Sequence, residues 1–461
     1  MSEKKHYHPL SLVIHLLNGI KGWIFPLFWI FFNWKRESIW FIFGLLVLIM
    51  GTAVVSYVTH FYQLTSDRLI IYSGIFNKRE TIIPYERIQT IKQQQWFFFK
   101  PFHVVRLAIE TAGGDHNEAE AVLPAVSEDV LQLLEQQRAN PAVIQEETPR
   151  QYQITNGQIF LFAVTNLSIF AAAFVVAEFV EELLPAAWTN WLWTVTESRS
   201  GSGWVMLVLF LIGAIFLLSL FSIAKSFVLY YRFQVSREQD QLTLEHGLFE
   251  RKTQKIPLHK IQGLKIHQKA LRKLFGLVSV ELLLAGSQEG EDAQLLLLPI
   301  IGEDQVYSML DFLLPEQKFA APAINYVSRK YLWYFVRLPL LFGLPAMLAL
   351  FIIQPWLSAI AGVILLGLLL NAWLSSRYQG YEIQGTSRLC LQKYFLLTKT
   401  QTFVERSKIQ AFHEKTSRGL YPKKIGHIQL NIAAGDFTSE ATLRYFDWEN
   451  VQTLTHFYRQ K

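Results

Sequence analysis

The 461-residue sequence contains little cysteine and little charge. Cys390 is the only cysteine, which excludes an intrachain disulfide scaffold. Only 17% of the residues are charged, against about 25% in a typical soluble chain, whereas 51% are hydrophobic. This balance excludes intrinsic disorder, which needs low hydrophobicity and high net charge. The mean hydropathy of +0.22 indicates membrane spans that alternate with folded aqueous domains.

The motifs of enzymatic chemistry are also missing from the sequence. It contains no Walker loop, no dinucleotide fingerprint and no zinc-ligand spacing. Cys390 has no histidine or aspartate nearby in sequence that would activate it. A metal site at His6, His8 and His15 would need a fixed geometry and usually supporting carboxylates, which their clustering alone does not indicate. We therefore predict that the protein is not an enzyme and has no catalytic residue, metal site or cofactor. The net charge of +6 is too small to require a nucleic-acid partner.

Long charge-free runs predict membrane-spanning helices, each of which needs about 20 apolar residues. The run 338–376 is long enough for two helices, and Gln354-Pro355 near its middle predicts a turn because proline breaks helices. The run 10–32 contains His15, Asn18 and Lys21, so it either spans the membrane or lies in its plane. The six predicted helices form three hairpins, which are 10–32 with 38–60, 157–180 with 203–228, and 331–353 with 356–376.

Each hairpin returns the chain to the side from which it entered, so the three polar segments share one compartment. Lysines and arginines flank that side, whereas the loop 178–202 carries four glutamates and one arginine. The positive-inside rule therefore predicts that the polar domains are cytoplasmic, although Lys35 and Arg36 in the first hairpin turn oppose this orientation. The flanking cations are Lys4, Lys5, Arg68, Arg150, Lys225, Arg232, Arg329, Lys330 and Arg377.

The three polar segments are copies of one unit. Each contains a short motif that ends in a basic residue followed by Ile-Gln, at 82–89, 255–262 and 403–410. Alternating hydrophobicity predicts strands in every copy, and a final apolar pattern after an acidic or capping signal predicts one terminal helix. Several short strands closed by a helix are typical of a small barrel with a plugged end.

The second copy reads Ile256-Pro257-x-x-Lys260-Ile261-Gln262 and then Leu271-x-Lys273-Leu274-Phe275-Gly276-Leu277. With two preceding membrane helices, this pattern resembles the bacterial pleckstrin-homology-like (PH-like) domain. The whole chain is similar to three-copy transmembrane proteins of the YdbT type. The third copy departs at Glu405, where the motif has proline, and the first lacks the Leu-Phe-Gly step. The resemblance implies no catalytic residues.

The predicted fold is thus a multi-domain α+β membrane protein, in which three transmembrane hairpins alternate with three PH-like β-barrels, each closed by a helix. The predicted domains are hairpin 1 at 1–61, PH-like domain 1 at 62–150, hairpin 2 at 151–230, PH-like domain 2 at 231–328, hairpin 3 at 329–377 and PH-like domain 3 at 378–461.

The strongest charge feature is a run of eight cations without an acidic residue in the second copy. One interpretation is a surface for anionic lipid headgroups or a partner, since each near-surface cation contributes about 1 kcal/mol. The other is a solvated strand face beside the membrane. The eight residues are Arg251, Lys252, Lys255, Lys260, Lys265, Lys269, Arg272 and Lys273.

Together with the resemblance, these features predict a non-enzymatic scaffold of the bacterial inner membrane that acts in envelope maintenance or stress response. Its expected partners are the lipid bilayer and either a second copy of the chain or the smaller one-domain PH-like membrane protein that the resemblance implies. The alternative function is a transporter or lipid-handling protein with a path through the hairpins. Such a path needs polar residues on one helix face, and Asn166 and Asn371 are the mid-span amides that the sequence offers.

Overall fold

The computed structural model describes residues 4–23, 26, 38–74, 78–111, 121–138, 150–166, 202–285, 295–434 and 437–460. The chain forms two compact units. Unit 1 contains residues 1–149 and 233–258, and unit 2 contains residues 150–232 and 259–461. The second copy of the repeat is therefore divided between the two units at Leu258, inside its Ile-Pro-x-x-Lys-Ile-Gln motif.

Three helices among the described residues are long and apolar enough to cross a membrane, at Trp40–Thr59, Arg329–Ile353 and Leu357–Tyr378. The six spans of the sequence prediction are thus supported only in part, since residues 27–37 and 167–201 lie outside the described chain. The helices are α1 (Ser11–Gly22), α2 (Ser38–Thr59), α3 (Glu128–Arg138), α4 (Asn156–Val164), α5 (Ser202–Tyr230), α6 (Ala270–Leu274), α7 (Val306–Leu313), α8 (Leu332–Ile353), α9 (Pro355–Tyr378) and α10 (Trp448–Arg459).

The third hairpin confirms the turn that was predicted at Gln354-Pro355. Helix α8 ends at Ile353, and α9 begins with Pro355, where the missing N–H costs no helical hydrogen bond. The two helices cross closely at Gly343, where an added Cβ would lie 2.4 Å from Leu365 Cδ1. Most other large side chains of both helices are exposed apolar groups, as expected for helices that contact lipid.

Antiparallel strands make up the polar copies, and each copy divides into two three-stranded halves. The strands are β1 (Lys5–His6), β2 (Phe61–Leu64), β3 (Arg68–Ser73), β4 (Arg79–Pro84), β5 (Ile88–Trp96), β6 (Val104–Thr111), β7 (Ala121–Ser127), β8 (Arg150–Gln153), β9 (Gln234–Glu238), β10 (Gln241–His246), β11 (Glu250–Pro257), β12 (Ile261–Lys269), β13 (Leu277–Leu284), β14 (Leu295–Gly302), β15 (Asn325–Tyr326), β16 (Gly380–Gln384), β17 (Arg388–Phe395), β18 (Thr398–Glu405), β19 (Ile409–Lys415), β20 (Ile425–Ala434) and β21 (Phe437–Asp447).

Unit 1 holds the whole first copy and the first half of the second. One sheet has the order β1-β2-β3-β4, and another contains β7-β6-β5-β11-β10-β9. The core of the first copy takes Leu69 and Ile83 from its first half, Leu107 and Leu123 from its second half, and Leu134 from α3. The two half-sheets therefore pack face to face, and α3 covers them as the sequence predicted.

Unit 2 holds the second half of the second copy and the whole third copy. Its sheets have the orders β14-β13-β12-β18-β17-β16-β15 and β19-β20-β21. The core of the third copy combines Leu389 and Val404 from the first half, Leu430 and Leu443 from the second half, and Leu454 from α10. The third copy thus repeats the two-layer packing of the first.

The prediction of closed barrels is wrong for the described chain, where every sheet is open. Strand β5 of the first copy pairs with β11 of the second, and β12 of the second copy pairs with β18 of the third. An edge that is hydrogen-bonded to the next copy is not free to close on its own copy. The same continuity of the sheets explains why the compact units do not coincide with the three predicted domains.

Candidate functional site

The shared motif folds into the same corner in all three copies. A single turn of 3-10 helix separates β4 from β5, β11 from β12 and β18 from β19. The isoleucine after each turn is buried, and the strand register shifts immediately beyond it. Gln89, Gln262 and Gln410 are therefore the extra residues of three β-bulges, which bend the strand. This geometry supports a structural role for the motif.

The two strand pairings between copies, β5 with β11 and β12 with β18, are the joined edges of this protein, and both have the same register. Lys92 and Lys265 each lie four residues after the isoleucine that opens their strand, and they face Gln254 and Thr402. Gln254 and Thr402 in turn each lie three residues before the last residue of their own strand. The copies are thus joined by one repeated edge-to-edge pairing.

The equivalent strands at the two ends of the repeat have open edges. In the described chain, β4 pairs only with β3, and β19 pairs only with β20. Ile82 of β4 is 48% exposed, whereas Phe403, at the same repeat position in β18, is 1% exposed. His413, Glu414 and Lys415 at the end of β19 are exposed as well. These edges are a candidate interaction site that the sequence did not reveal, because strand pairing between copies leaves no local pattern.

The eight predicted cations are divided between the two compact units. Arg251, Lys252 and Lys255 lie on β11 in unit 1, and the other five lie in unit 2. Arg251 forms an ion pair with Glu245, and Lys255 Nζ lies 2.8 Å from Glu135 Oε1 of α3. Lys252 faces Gln94 across the joined edge. Part of the unit 1 charge is therefore neutralised within the protein.

Two cations of unit 2 are not on the surface, which corrects the prediction for them. Lys260 is 7% exposed and Arg272 is 2% exposed. Arg272 Nε donates to Thr165 Oγ1 at 3.2 Å, its Nη1 donates to Ser279 Oγ, and the guanidinium lies 4.7 Å from the Phe162 ring centroid. Burial lowers the pKa of Arg272 to about 10. Arg272 therefore binds the end of α4 to the second copy.

Lys269 and Lys273 connect the second copy to the end of α4 and to the end of the candidate span Leu357–Tyr378. Lys269 Nζ donates to Asn166 Oδ1 at 2.7 Å, just after α4, and Lys273 Nζ lies 4.8 Å from the ring centroid of Tyr378 at the end of α9. Burial, with repulsion from Arg272, lowers the pKa of Lys269. Lys265 lies four residues before Lys269 in β12 and faces Glu281 of β13.

Asn166 and Asn371, the two amides singled out in the sequence, form hydrogen bonds with the polar copies. Asn166 accepts its bond from Lys269 of the aqueous copy. Asn371 Oδ1 accepts a hydrogen bond from Leu396 N at 2.8 Å, at the tip of the β17–β18 hairpin. Asn166 therefore connects the end of α4, and Asn371 the candidate span Leu357–Tyr378, to the polar copies of unit 2.

A cavity of about 520 Å³ opens beside Tyr378 in unit 2. Its charged lining is balanced, because Lys399 Nζ lies 3.1 Å from Glu303 Oε1, and Gln268 Nε2 also donates to Glu303 at 2.6 Å. Burial raises the pKa of Glu303, but these hydrogen bonds outweigh it and lower the pKa overall. The cavity therefore presents no excess charge of either sign.

The remaining sequence predictions concern chemistry and orientation. Among the described residues, no group of three or more His, Cys, Asp or Glu side chains could hold a metal ion. Cys390 is buried in β17, and burial raises the pKa of its thiol, which disfavours the reactive thiolate. Residues 178–201 of the acidic loop and the Lys35-Arg36 turn lie outside the described residues.

Comparisons with known proteins agree with the repeat. The chain is 27% identical over 500 aligned positions to UPF0699 transmembrane protein YdbT of Bacillus subtilis (strain 168), covering 99% of this chain and 98% of the relative. No solved structure matches. The Bacterial PH domain family matches residues 17–140 and 159–313. With its repeated two-layer copies and apolar helices, this chain is a transmembrane protein that belongs to the Bacterial PH domain family.

Proposed function

We propose that this protein is a non-enzymatic scaffold of the bacterial inner membrane that binds another membrane protein through its open strand edges. One observation carries the proposal. In the described chain, two pairs of strand edges join the copies in a common register, and the equivalent edges, β4 and β19, have no strand on their outer side. Exposed edges are templates for strand addition. A role in envelope maintenance or stress response is the setting that we propose for this assembly.

The charges on the open edges disfavour pairing between two copies of this chain. In the register of the joined edges, His413 of one chain would face Thr81 of another. Glu414 would then face Glu80, and Lys415 would face Arg79. Like charges directly opposite each other destabilise an antiparallel pair, whereas both joined edges place their charged residues opposite uncharged ones.

A different chain with the same domain fits these edges better. The smaller one-domain PH-like membrane protein implied by the sequence resemblance would have one half-sheet edge of each kind. Its side chains can complement Glu414 and Lys415 without repeating them. The partner that we propose is therefore a PH-like membrane protein. The edge strand of its first half-sheet carries a basic residue opposite Glu414 and an acidic residue opposite Lys415.

The orientation of the scaffold is supported by charge at the ends of the spans. The span Arg329–Ile353 begins with Arg329 and Lys330, and Arg377 lies in the last turn of α9. Cations concentrate on the cytoplasmic side of short-looped membrane proteins. We therefore place the PH-like copies in the cytoplasm. The contacts of Asn166 and Asn371 with the polar copies favour a scaffold over a transport path.

Photocrosslinking tests this proposal in native membranes. A photoreactive phenylalanine analogue at Glu414, on the β19 edge, should give one adduct with a different membrane protein, and mass spectrometry should locate the link in a strand of that protein. The same analogue at Gln452, which is exposed on α10 of the same copy, should not give that adduct. An adduct with this chain itself, or equal labelling at both positions, would overturn the proposal.

A charge exchange tests the argument against self-association. The double variant Glu414→Arg, Lys415→Glu makes the β19 edge complementary to the β4 edge of a second copy. We expect this variant to form higher oligomers in nanodiscs, measured by light scattering, and the natural sequence to form none through these edges. If the variant and the natural protein have the same mass, the register inferred for the edges is wrong.

A further inference from the structure

The Leu-Phe-Gly step of the second copy forms an exposed apolar tip. Leu274 is 79% exposed and Phe275 is 60% exposed. Gly276 follows with φ of +62°, a conformation that lets the chain turn sharply from α6 into β13. Large apolar side chains grouped at a surface mark an interaction site. The packing of the second copy does not use these two side chains, so the core does not explain them.

A second apolar tip lies against the first. The β17–β18 hairpin of the third copy turns at Phe395, Leu396 and Leu397, whose side chains are all exposed. Leu397 O accepts a hydrogen bond of 2.8 Å from Ala270 N, the first residue of α6. The two tips form the tip pair of unit 2, at the end of the joined β12·β18 edge.

The tip pair of unit 2 is fixed at the level of a membrane span. Leu396 N donates to Asn371 Oδ1 at 2.8 Å, and Asn371 lies within the candidate span Leu357–Tyr378. Because a helix rises about 1.5 Å per residue, Asn371 lies roughly 10 Å inside the Tyr378 end of α9. A backbone group bound to Asn371 cannot lie far from the bilayer that surrounds this helix.

The surroundings of the tip pair have the chemistry of a lipid interface. The Tyr378 and Tyr394 rings stack at 5.6 Å, and Lys273 Nζ lies 4.8 Å from the Tyr378 ring centroid. Tyrosine concentrates at the headgroup level, and cations there attract anionic lipid. Two tyrosines and a lysine therefore border the apolar tips on the side of the polar copies.

Unit 1 repeats the arrangement. Phe97 and Phe102 of the first copy and Phe249 of the second are exposed, and Phe97 N donates to Phe249 O at 2.7 Å. This tip pair lies at the end of the joined β5·β11 edge and beside α1, where Trp96 packs against the cluster that contains Ile14. Two joined edges with unrelated tip sequences therefore carry the same apolar feature.

We propose that both tip pairs insert into the lipid interface next to the spans, so that each joined edge is held on the bilayer by its own apolar anchor. The ligand class is the lipid bilayer. This anchoring is independent of the partner that binds the open edges. It also gives Lys269 and Lys273, two of the cations singled out in the sequence, a place at the headgroup level.

Spin labelling of the full-length protein in liposomes of phosphatidylethanolamine and phosphatidylglycerol tests the proposal. The variants Leu274→Cys, Leu396→Cys and Phe102→Cys place labels on the tips, and Gln452→Cys places one on α10 as the control. Cys390 is buried, so the unsubstituted protein serves as the labelling blank. At the three tip positions we expect frequent collisions with oxygen and few with a water-soluble nickel chelate, and the reverse at position 452.

Two results would overturn the proposal. Collision with the nickel chelate at the tips as frequent as at position 452 would place the tips in water. Low collision rates with both reagents would show that protein covers them. Neither result bears on photocrosslinking at Glu414, so failure of the lipid anchor is distinguishable from failure of the scaffold proposal. The variants replace exposed side chains, and a single symmetric peak in gel filtration confirms that each one folds.

Discussion

One strand of the repeat occurs in two different environments in this protein. Strand β18 is joined to the preceding copy and buries Phe403, whereas β4, the same strand of the first copy, leaves Ile82 at the same position half-exposed. Each of them is the second strand of an antiparallel pair and ends at the 3-10 turn of the shared motif. The difference shows that burial of this strand comes from the neighbouring copy and not from its own.

The joined edges and the open edges also differ in how their charged residues are placed. In the joined edges each charged residue faces an uncharged one, such as Lys265 opposite Thr402. The open edges carry Arg79, Glu80, Glu414 and Lys415 in exposed positions. Charges on an edge strand prevent indiscriminate pairing. The charges on the open edges thus disfavour indiscriminate pairing, while the backbone groups stay available to the partner that we propose.

The largest expected effect comes from truncating the joined strand. Phe403→Ala should lower the free energy of unfolding by about 3–5 kcal/mol, because it removes a fully buried ring. The matched variant Ile82→Ala, at the same repeat position on the open edge, should change it by roughly 0.5 kcal/mol or less. Thermal unfolding in detergent, followed by gel filtration, compares the stability of the two variants. Similar losses for the two variants would contradict the contrast between the edges.

A smaller effect is expected at the bulge beside the joined edge. An added Cβ at Gly263 would lie 2.5 Å from Phe403 O, so Gly263→Ala should cost about 1–3 kcal/mol through overpacking. Hydrogen exchange of the β12 and β18 amides should become faster. The open edge has alanine at the same position, and Ala411→Gly should cost only about 0.5–1 kcal/mol. Unchanged exchange in the Gly263 variant would mean that β12 and β18 are not paired in solution.

The smallest effect is expected at Lys255, which takes the place of Phe403 and Ile82 in the second copy. Its ion pair with Glu135 is about one-third exposed at both side chains, so Lys255→Gln should cost about 1 kcal/mol or less. High salt should remove the difference because it screens exposed pairs. A double-mutant cycle with Glu135→Gln measures the coupling, and a value that does not respond to salt would argue against this pair.

Much of the architecture could be predicted from local sequence. The turn at Gln354-Pro355, the strand alternation and the terminal helices α3 and α10 all follow from periodicity, proline chemistry and capping. Which of the eight cations in the second copy face solvent could not be predicted in the same way. Lys260 and Arg272 are buried and Lys255 is paired with Glu135, because contacts between distant segments decide whether a charge faces solvent.

By itself the sequence determined the apolar helices, the three-fold repeat and the family, since each rests on composition or on residues close together in the chain. Only the tertiary structure decided that the copies join edge to edge instead of closing as barrels and that Asn371 holds a hairpin tip. The same is true of β4 and β19, which stay open in the part of the chain that the structure describes. The physical reason is that backbone hydrogen bonds between strands are independent of side-chain identity. Their partners are therefore chosen by the packing of the whole chain.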